Sequence, residues 1–422
     1  MGFEGMLSVL IIFFLIYIFF AIFHKHRSII VWVGVFLFLI LKKLYIKDIL
    51  NFVDWNIIFI FSSFIIITEF MIEDKIASSI AEKITDRTSS LISSLLILSA
   101  TSGIISTFLE NVATVLILAP IALEISRKAK VSCIPYIMGI ILMSNLEGTA
   151  TLIGDPPSMI LAGYMKLTFF DFFILDGKLS LFFIVQAGAL SGLGTLYFIF
   201  RRIYYGRKID KVREEKIKSK RSVLAFIFAI LWLILSSFNK RLFGYAAGTG
   251  SLIISLILLL SSKKDSLKVL KRFDYDTVLI LMGIFIIINV VNNSGVVQLI
   301  ANFIETYLKG NVFMIFLTLI FISVFFSAFI DNVPFVTAII PVGMKIAEGL
   351  NINQYLLTFG IIIGATVGGN ITPIGASANI VGYGIIKREG EDFTFGQFVK
   401  IGFLFTFFAT LFSSILLWFI WR

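Results

Sequence analysis

Long apolar blocks recur along this sequence, the clearest at 7–23, 57–67, 223–235 and 401–420. Several approach or reach the roughly 20 residues that carry a helix across a bilayer core. A soluble helical domain would need polar faces that these blocks lack. The chain is 58% hydrophobic, above the roughly 45–50% of soluble domains. The blocks therefore predict an all-α polytopic membrane protein, multi-pass in the cell (plasma or inner) membrane. The first block has no basic stretch before it and is followed by His24-Lys25-His26-Arg27, so it reads as a membrane helix rather than a cleavable signal. The single cysteine, Cys133, excludes an intramolecular disulfide framework and a thiolate metal cluster; a packing role at a helix start is expected.

Within the apolar background the chain repeats itself. Ser106-Thr-Phe-Leu-Glu-Asn-Val-Ala-Thr-Val-Leu-Ile-Leu-Ala-Pro120 aligns with Ser327-Ala-Phe-Ile-Asp-Asn-Val-Pro-Phe-Val-Thr-Ala-Ile-Ile-Pro341 at an offset of 221. Gly148-Thr-Ala-Thr-Leu-Ile-Gly154 falls on Gly369-Asn-Ile-Thr-Pro-Ile-Gly375 at the same offset, and Asp54 falls on Asp274 at 220. The expected organisation is a first repeat at 1–204, a basic linker at 205–221 and a second repeat at 222–422. In each repeat two spanning helices and a third lead into a short amphipathic stretch (73–87, 294–308). An apolar segment broken by Glu110-Asn111 or Asp331-Asn332 follows. Next comes a helix interrupted at 147–157 or 368–379, then a closing helix. All seven prolines lie in or beside the broken segments. In lipid such breaks are tolerated only where protein or a watery cavity satisfies the backbone. Paired interruptions in two halves point to a transporter site.

Charge tests the topology. If 92–127 and 312–346 are re-entrant hairpins, each half crosses five times and the second half is inverted. With 201–221 inside, 26 of the 36 Lys and Arg lie on the cytoplasmic face and both termini lie outside. The net charge of +10 then reports cytoplasmic loops rather than nucleic-acid binding. The predicted architecture has about ten transmembrane helices, two re-entrant hairpins, two discontinuous helices and inverted-topology repeats.

Polar groups in these breaks are the candidate site, because intramembrane polar residues are costly. The first tip offers Glu110, Asn111 and Thr114; the second offers Asp331 and Asn332. A competing reading is that Asn111 and Asn332 only cap helices. The first interruption offers Gly148, Thr149, Thr151, Gly154, Asp155 and Ser158. The second offers Asn370, Thr372, Gly375, Ser377 and Asn379. Glycines let the backbone unwind. Exposed carbonyls with Thr and Asn oxygens make a hard-oxygen environment suited to Na+, and resumed helix starts suit an oxyanion. Ordinary Gly/Thr helix packing is the competing reading here. Glu69 and Glu147 are proton-coupling candidates, although Glu69 also fits a place at the interface. No Lys or Arg sits in the motif cores, which disfavours a substrate anchored by charge pairs. His24 and His26 are expected to face water.

These four motifs together resemble the ion transporter superfamily over nearly the whole chain. They are similar to its arsenite-permease, NhaD-type sodium/proton antiporter and P-protein branch, with citrate and dicarboxylate symporters further away. The resemblance implies hairpins and broken helices meeting near the midplane, with sodium or proton coupling at the Asn/Thr/Gly loops. Two positions depart from the pattern. Glu147-Gly148-Thr149 stands where Gly-Gly-Thr is usual, and Ser158 where Asn is usual. The expected function is secondary-active transport of a small ion, whether an arsenite-type oxyanion, an inorganic cation or a carboxylate, driven by Na+ or H+. An ion channel and a sodium/proton antiporter without a separate substrate are the alternatives. No nucleophile–base pair or Walker-type loop supports an enzyme or ATP as driver. No cofactor is expected beyond a coupling Na+. The expected partners are the bilayer and an inorganic ion or organic anion, with no nucleic acid and with a homodimer left open.

Overall fold

The computed structural model describes residues 3–23, 26–76, 79, 83, 90–204, 217–308 and 310–422. His24, most of the stretch read over 73–87 and the linker over 205–216 lie outside the described residues. Six helices are long and apolar enough to cross a membrane by length and composition, and shorter apolar helices accompany them. The first half contains α1 (Phe3–Ile22), α2 (Arg27–Ile40), the short α3 (Ile46–Phe52) and α4 (Trp55–Glu73). Then come α5 (Leu91–Ser106), α6 (Asn111–Ala129), α7 (Ile134–Glu147) and α8 (Pro156–Met165). A two-stranded ribbon, β1 (Ile174–Leu175) with β2 (Lys178–Leu179), precedes α9 (Leu181–Tyr204). The second half holds α10 (Arg221–Ser237), α11 (Lys240–Ser261), α12 (Lys263–Arg272), α13 (Tyr275–Ser294) and α14 (Val296–Tyr307). It ends with α15 (Val312–Ser327), α16 (Asn332–Gly349), α17 (Gln354–Gly368), α18 (Ser377–Arg388) and α19 (Phe395–Trp421). Phe36, Leu190, Phe228, Phe321 and Phe419 point outward, as a lipid-facing surface requires.

The segments α5–α6 and α15–α16 are re-entrant. The Tyr136 hydroxyl, just past α6, donates to the carbonyl of Leu91 at the start of α5 (3.0 Å). Both ends of the first hairpin therefore lie on one face. In the second, a Cβ at Gly310 would stand 3.4 Å from Leu350, and one at Gly349 would stand 2.6 Å from Glu305. The residues flanking α15 and α16 thus meet as well.

The halves are inverted. The Tyr204 hydroxyl at the end of α9 donates to Ser132 O (2.9 Å), and Cys133 N donates to Glu391, just before α19. At the other face, the indole of Trp421 at the end of α19 donates to Leu179 O, just before α9 (3.1 Å). The matched helices α9 and α19 run antiparallel against each other. The first hairpin opens on the face of Tyr204. The second opens on the face of Trp421, whose ring lies 5.1 Å from Tyr355. Contacts are exchanged between the halves: α2 packs on α13 as α11 packs on α4, and α8 packs on α16 as α6 packs on α18.

The face of Tyr204 gathers the basic residues. Lys218, Lys268 and Arg272 surround Glu73 at 3.2–3.5 Å. A hydrogen bond to Asp265 and the charge of Glu73 hold the Lys268 ammonium above the usual lysine range. Arg127 pairs with Glu389 at 2.7 Å on the same face.

Candidate functional site

Each hairpin tip divides two tasks between neighbouring residues. The carboxylate caps the second arm: Glu110 Oε2 accepts from Ala113 N (3.0 Å), and Asp331 Oδ1 accepts from Val333 N (3.2 Å). The amide is the first helical residue and turns towards the interruption. Asn111 Oδ1 accepts from the Ser106 hydroxyl (2.7 Å), and Asn332 Oδ1 accepts from the Ser327 hydroxyl. The competing expectation, that Asn111 and Asn332 are only caps, is corrected by this division. A carboxylate can take the exposed first-turn N–H groups, which frees the amide oxygen for the interior.

The interruptions close on these amides. A Cβ at Gly154 would lie 2.5 Å from Gly148 O and 2.8 Å from both Ser106 O and Thr107 O. At Gly375 it would lie 2.5 Å from Gly369 O and 3.0 Å from both Ser327 O and Ala328 O. Asn111 Oδ1 presses on Gly148 as Asn332 Oδ1 presses on Gly369. The Thr151 hydroxyl donates to Thr107 O (2.5 Å), and the Thr372 hydroxyl donates to Ala328 O. Each half thus holds a cradle of carbonyl and amide oxygens around a glycine that only the missing side chain permits. Such hard donors fit Na+ in kind.

Between the two tips lies a cavity of about 90 Å³. Of the residues singled out from the sequence, Glu110, Asn111, Asp155, Asp331, Asn332 and Ser377 line it. Asp155 accepts from Asn111 Nδ2 at 3.2 Å. Gly148, Thr151, Gly154, Thr372 and Gly375 belong to the two cradles. Asn370 and Asn379 join Asn145 in a buried amide cluster, where Asn145 Nδ2 donates to both their Oδ1 atoms (2.8 and 2.7 Å). Ser158 donates to Thr149 O at 3.3 Å. Thr114 and Thr149 are buried with hydroxyls that have no hydrogen-bond partner among the described residues. Glu147 is buried against α9, where Gln186 Nε2 donates to it at 2.6 Å. It is not among the residues lining the cavity between the tips. Glu69 lines a second cavity of about 70 Å³ together with Glu110, Arg272 and Asp274.

Of the lining residues that the sequence did not single out, three bear on the chemistry of the site. Asn145 stands near the end of α7, just before the first interruption. Asp274 caps α13 through Thr277 N (3.0 Å) and was visible only as the repeat of Asp54. Arg27 Nη1 donates to Asp331 Oδ2 at 2.8 Å, with both side chains little exposed, and its guanidinium lies over Phe20. The motif cores themselves hold no Lys or Arg, but a basic residue from outside them reaches the site. Arg27 is 304 positions from Asp331 in sequence and only the packing of α2 brings it in. His26 is exposed, as expected.

A family model described as "Citrate transporter" matches residues 15–353. A "46 kDa membrane protein" of Mycobacterium leprae is 28% identical over 381 residues, covering 87% of this chain and 86% of that protein. The P protein of Mus musculus is 22% identical over 389 residues, covering 72% of this chain and 46% of that protein. Among solved structures, the Alcanivorax borkumensis YdaH transporter superposes with a TM-score of 0.61 at 11% identity, covering 98% of this chain and 97% of that one. That likeness is one of fold.

Proposed function

The chain belongs to the citrate transporter family and is a multi-pass membrane transporter; from that premise we propose that it is a secondary-active carrier of a small inorganic cation, coupled to Na+ or H+. The observation that carries the choice of cation is the charge of the central cavity. Four carboxylates line it, Glu110, Asp155, Asp274 and Asp331, against one guanidinium, Arg27, which is already paired. A multiply charged organic anion entering this space would meet like charge with little water to screen it. A cavity of about 90 Å³ is several times the ~10–15 Å³ that one water needs on this measure, which suits a partly hydrated cation. Carboxylates so placed can exchange a bound cation for a proton. The resumed, broken helices in two inverted halves support alternating access over a continuous pore.

A second reading is carriage of a carboxylate anion. Arg27 supports it, since a guanidinium is the natural anchor for a carboxylate, and the family's description agrees with it. Reconstituted protein tests both. Flux of 22Na+, citrate and arsenite is followed in proteoliposomes under imposed pH and Na+ gradients. Saturable cation flux driven by a pH gradient is expected. Saturable citrate uptake without cation/proton exchange would replace the first reading by the second. Single-channel conductance in a planar bilayer would remove the carrier reading altogether.

A further inference from the structure

The second cavity gives the central cavity a side branch, because Glu110 and Asp274 line both. The branch is also lined by Arg272, whose half-exposed side chain pairs with Glu73 in the basic cluster on the face of Tyr204. Glu69 lies on α4 one turn before Glu73 and lines the same branch. Helix α4 runs towards the face of Tyr204, so Glu69 sits about 6 Å deeper than Glu73 at 1.5 Å per residue.

The repeat supplies an internal comparison. Phe64, Thr68 and Ala113 of the branch correspond to Ile284, Ile288 and Pro334, at offsets of 220 and 221. Those three line a cavity of the second half, and Phe20 lines both it and the central cavity. This counterpart is dry by size and by chemistry. Its volume is about 10 Å³ against about 70 Å³ for the branch, and one water needs ~10–15 Å³. Among the described residues its one polar lining side chain is Thr337, whose hydroxyl donates to Val333 O at 2.6 Å. Asn289 stands at the position of Glu69, and Phe52 at that of Arg272. Asn289 Nδ2 donates to Phe285 O and Phe52 O at 2.9 and 3.3 Å. The second half thus has a backbone-tied amide and a ring where the first half has two ionisable groups.

The branch has room for several waters and offers them Thr68, Glu69, Glu110, Arg272 and Asp274 as partners. Its other walls, Phe61, Phe64, Phe108 and Ile153 among them, offer no side-chain oxygen to a metal cation in transit. A proton needs only water and a titratable group. The charged groups around Glu69 are Glu73 on its own helix, Arg272 from α12, Asp274 before α13 and Glu110 at the hairpin tip. Helices α8, α10 and α11 also pack on α4, and among the described residues they place no charged side chain in the branch.

We propose that this branch is a proton passage between the face of Tyr204 and the central cavity, with Glu69 as its relay. The Glu69 carboxylate takes a proton from water at the Arg272 end. Its O–H bond then breaks as the proton passes through water to a carboxylate of the central cavity, and Glu69 is again a carboxylate. Outward movement reverses these steps, and nothing is oxidised or reduced. The proposal rests on the carrier reading above and gives its coupling proton a route that the second half lacks.

The test compares two fluxes of purified full-length protein in proteoliposomes: 22Na+ exchange against Na+, which moves no net proton, and 22Na+ movement driven by a pH gradient. Glu69→Gln should lower the second at least tenfold and leave the first within twofold. Glu69→Asp should restore the second with a displaced pH profile. Thr68→Ile, which copies the wall of the second half, should lower the second at least threefold, and Ile288→Thr should leave both fluxes intact. Equal loss of both fluxes in Glu69→Gln would reveal a merely structural role and overturn the relay. Unchanged proton-driven flux in that variant would overturn it too. A wild type that exchanges Na+ but ignores the pH gradient would overturn the passage and leave the carrier standing. Proton binding is read apart from transport, by infrared difference spectra of purified protein between acid and alkaline buffers in H2O and D2O. Glu69→Gln should remove one deuterium-sensitive carboxyl band; if it removes none, the relay is overturned. If that band is lost but the wild type moves no cation in either mode, the carrier reading falls and the proton site stands.

Discussion

At the scale of single residues, the glycines of the interruptions are the least replaceable positions. Gly154 and Gly375 each sit where a methyl group would press on carbonyl oxygens of the hairpin and of the broken helix. Those oxygens are backbone atoms and cannot swing aside as a flexible side chain can. Gly154→Ala should cost about 1–3 kcal/mol, the usual range for overpacking. It should also lower the unfolding temperature and abolish transport in protein that still inserts. Gly244→Ala is the control, since a Cβ there meets nothing within 4 Å; it should change stability by no more than about 1 kcal/mol and leave flux intact. Equal loss in both variants would show that the cradle geometry is not special. The sequence made these glycines visible because they recur at an offset of 221 in Thr/Asn-rich breaks. Arg27 was invisible for the opposite reason: its meaning comes from a tertiary contact with Asp331, and it has no counterpart at the matching position, where Ala247 stands.

At the scale of elements, the repeat and the prolines made the hairpins legible, and parity of crossings made their inversion legible. The short surface elements were not. Helix α12 carries five Lys and Arg in ten residues, so by composition it reads as a solvated loop, yet it folds as an amphipathic helix through Lys268 and Arg272 on Glu73. Helix α3 and the ribbon at 174–179 are likewise too short to leave a periodic signal. The inverted hairpins make a direct prediction. Lys128 and Glu348 are both exposed, near the open ends of the first and second hairpins respectively. In a Cys133→Ser background, Lys128→Cys and Glu348→Cys should be modified by a membrane-impermeant maleimide from opposite faces. Glu348→Cys should react in intact cells, and Lys128→Cys only after permeabilisation. Labelling of both from the same face would show that the halves are parallel.

At the scale of the whole molecule, the inverted repeat relates two interfaces that the structure leaves unequal. On the face of Trp421, Asp54 caps α4 and pairs with Lys166 at the end of α8 (3.4 Å), and α8 rests against α4. The same operation carried to the other face matches Asp274 at the start of α13 with Lys387 at the end of α18. That pair is not made. Asp274 has no ion pair among the described residues and lines the central cavity, which stands between α13 and the start of α18, while Lys387 lies over the Tyr383 ring. The two faces are therefore unequal in this pair, joined at Asp54 and Lys166 and unjoined at Asp274 and Lys387. An exchange of roles between the halves is expected to give the opposite state, in which Asp274 meets Lys387 and Asp54 leaves Lys166. Exposed pairs of this kind contribute only about 0–1 kcal/mol, so they would mark the two states rather than drive the change between them. In a Cys133→Ser background, a short bifunctional thiol reagent should link Asp54→Cys to Lys166→Cys readily and stop flux by holding the site open to one face. Asp274→Cys and Lys387→Cys should link slowly at rest and faster under a gradient that drives turnover, again stopping flux. If the second pair never links under any gradient, or if both pairs link within one molecule, the halves do not exchange roles and the repeat serves architecture rather than transport.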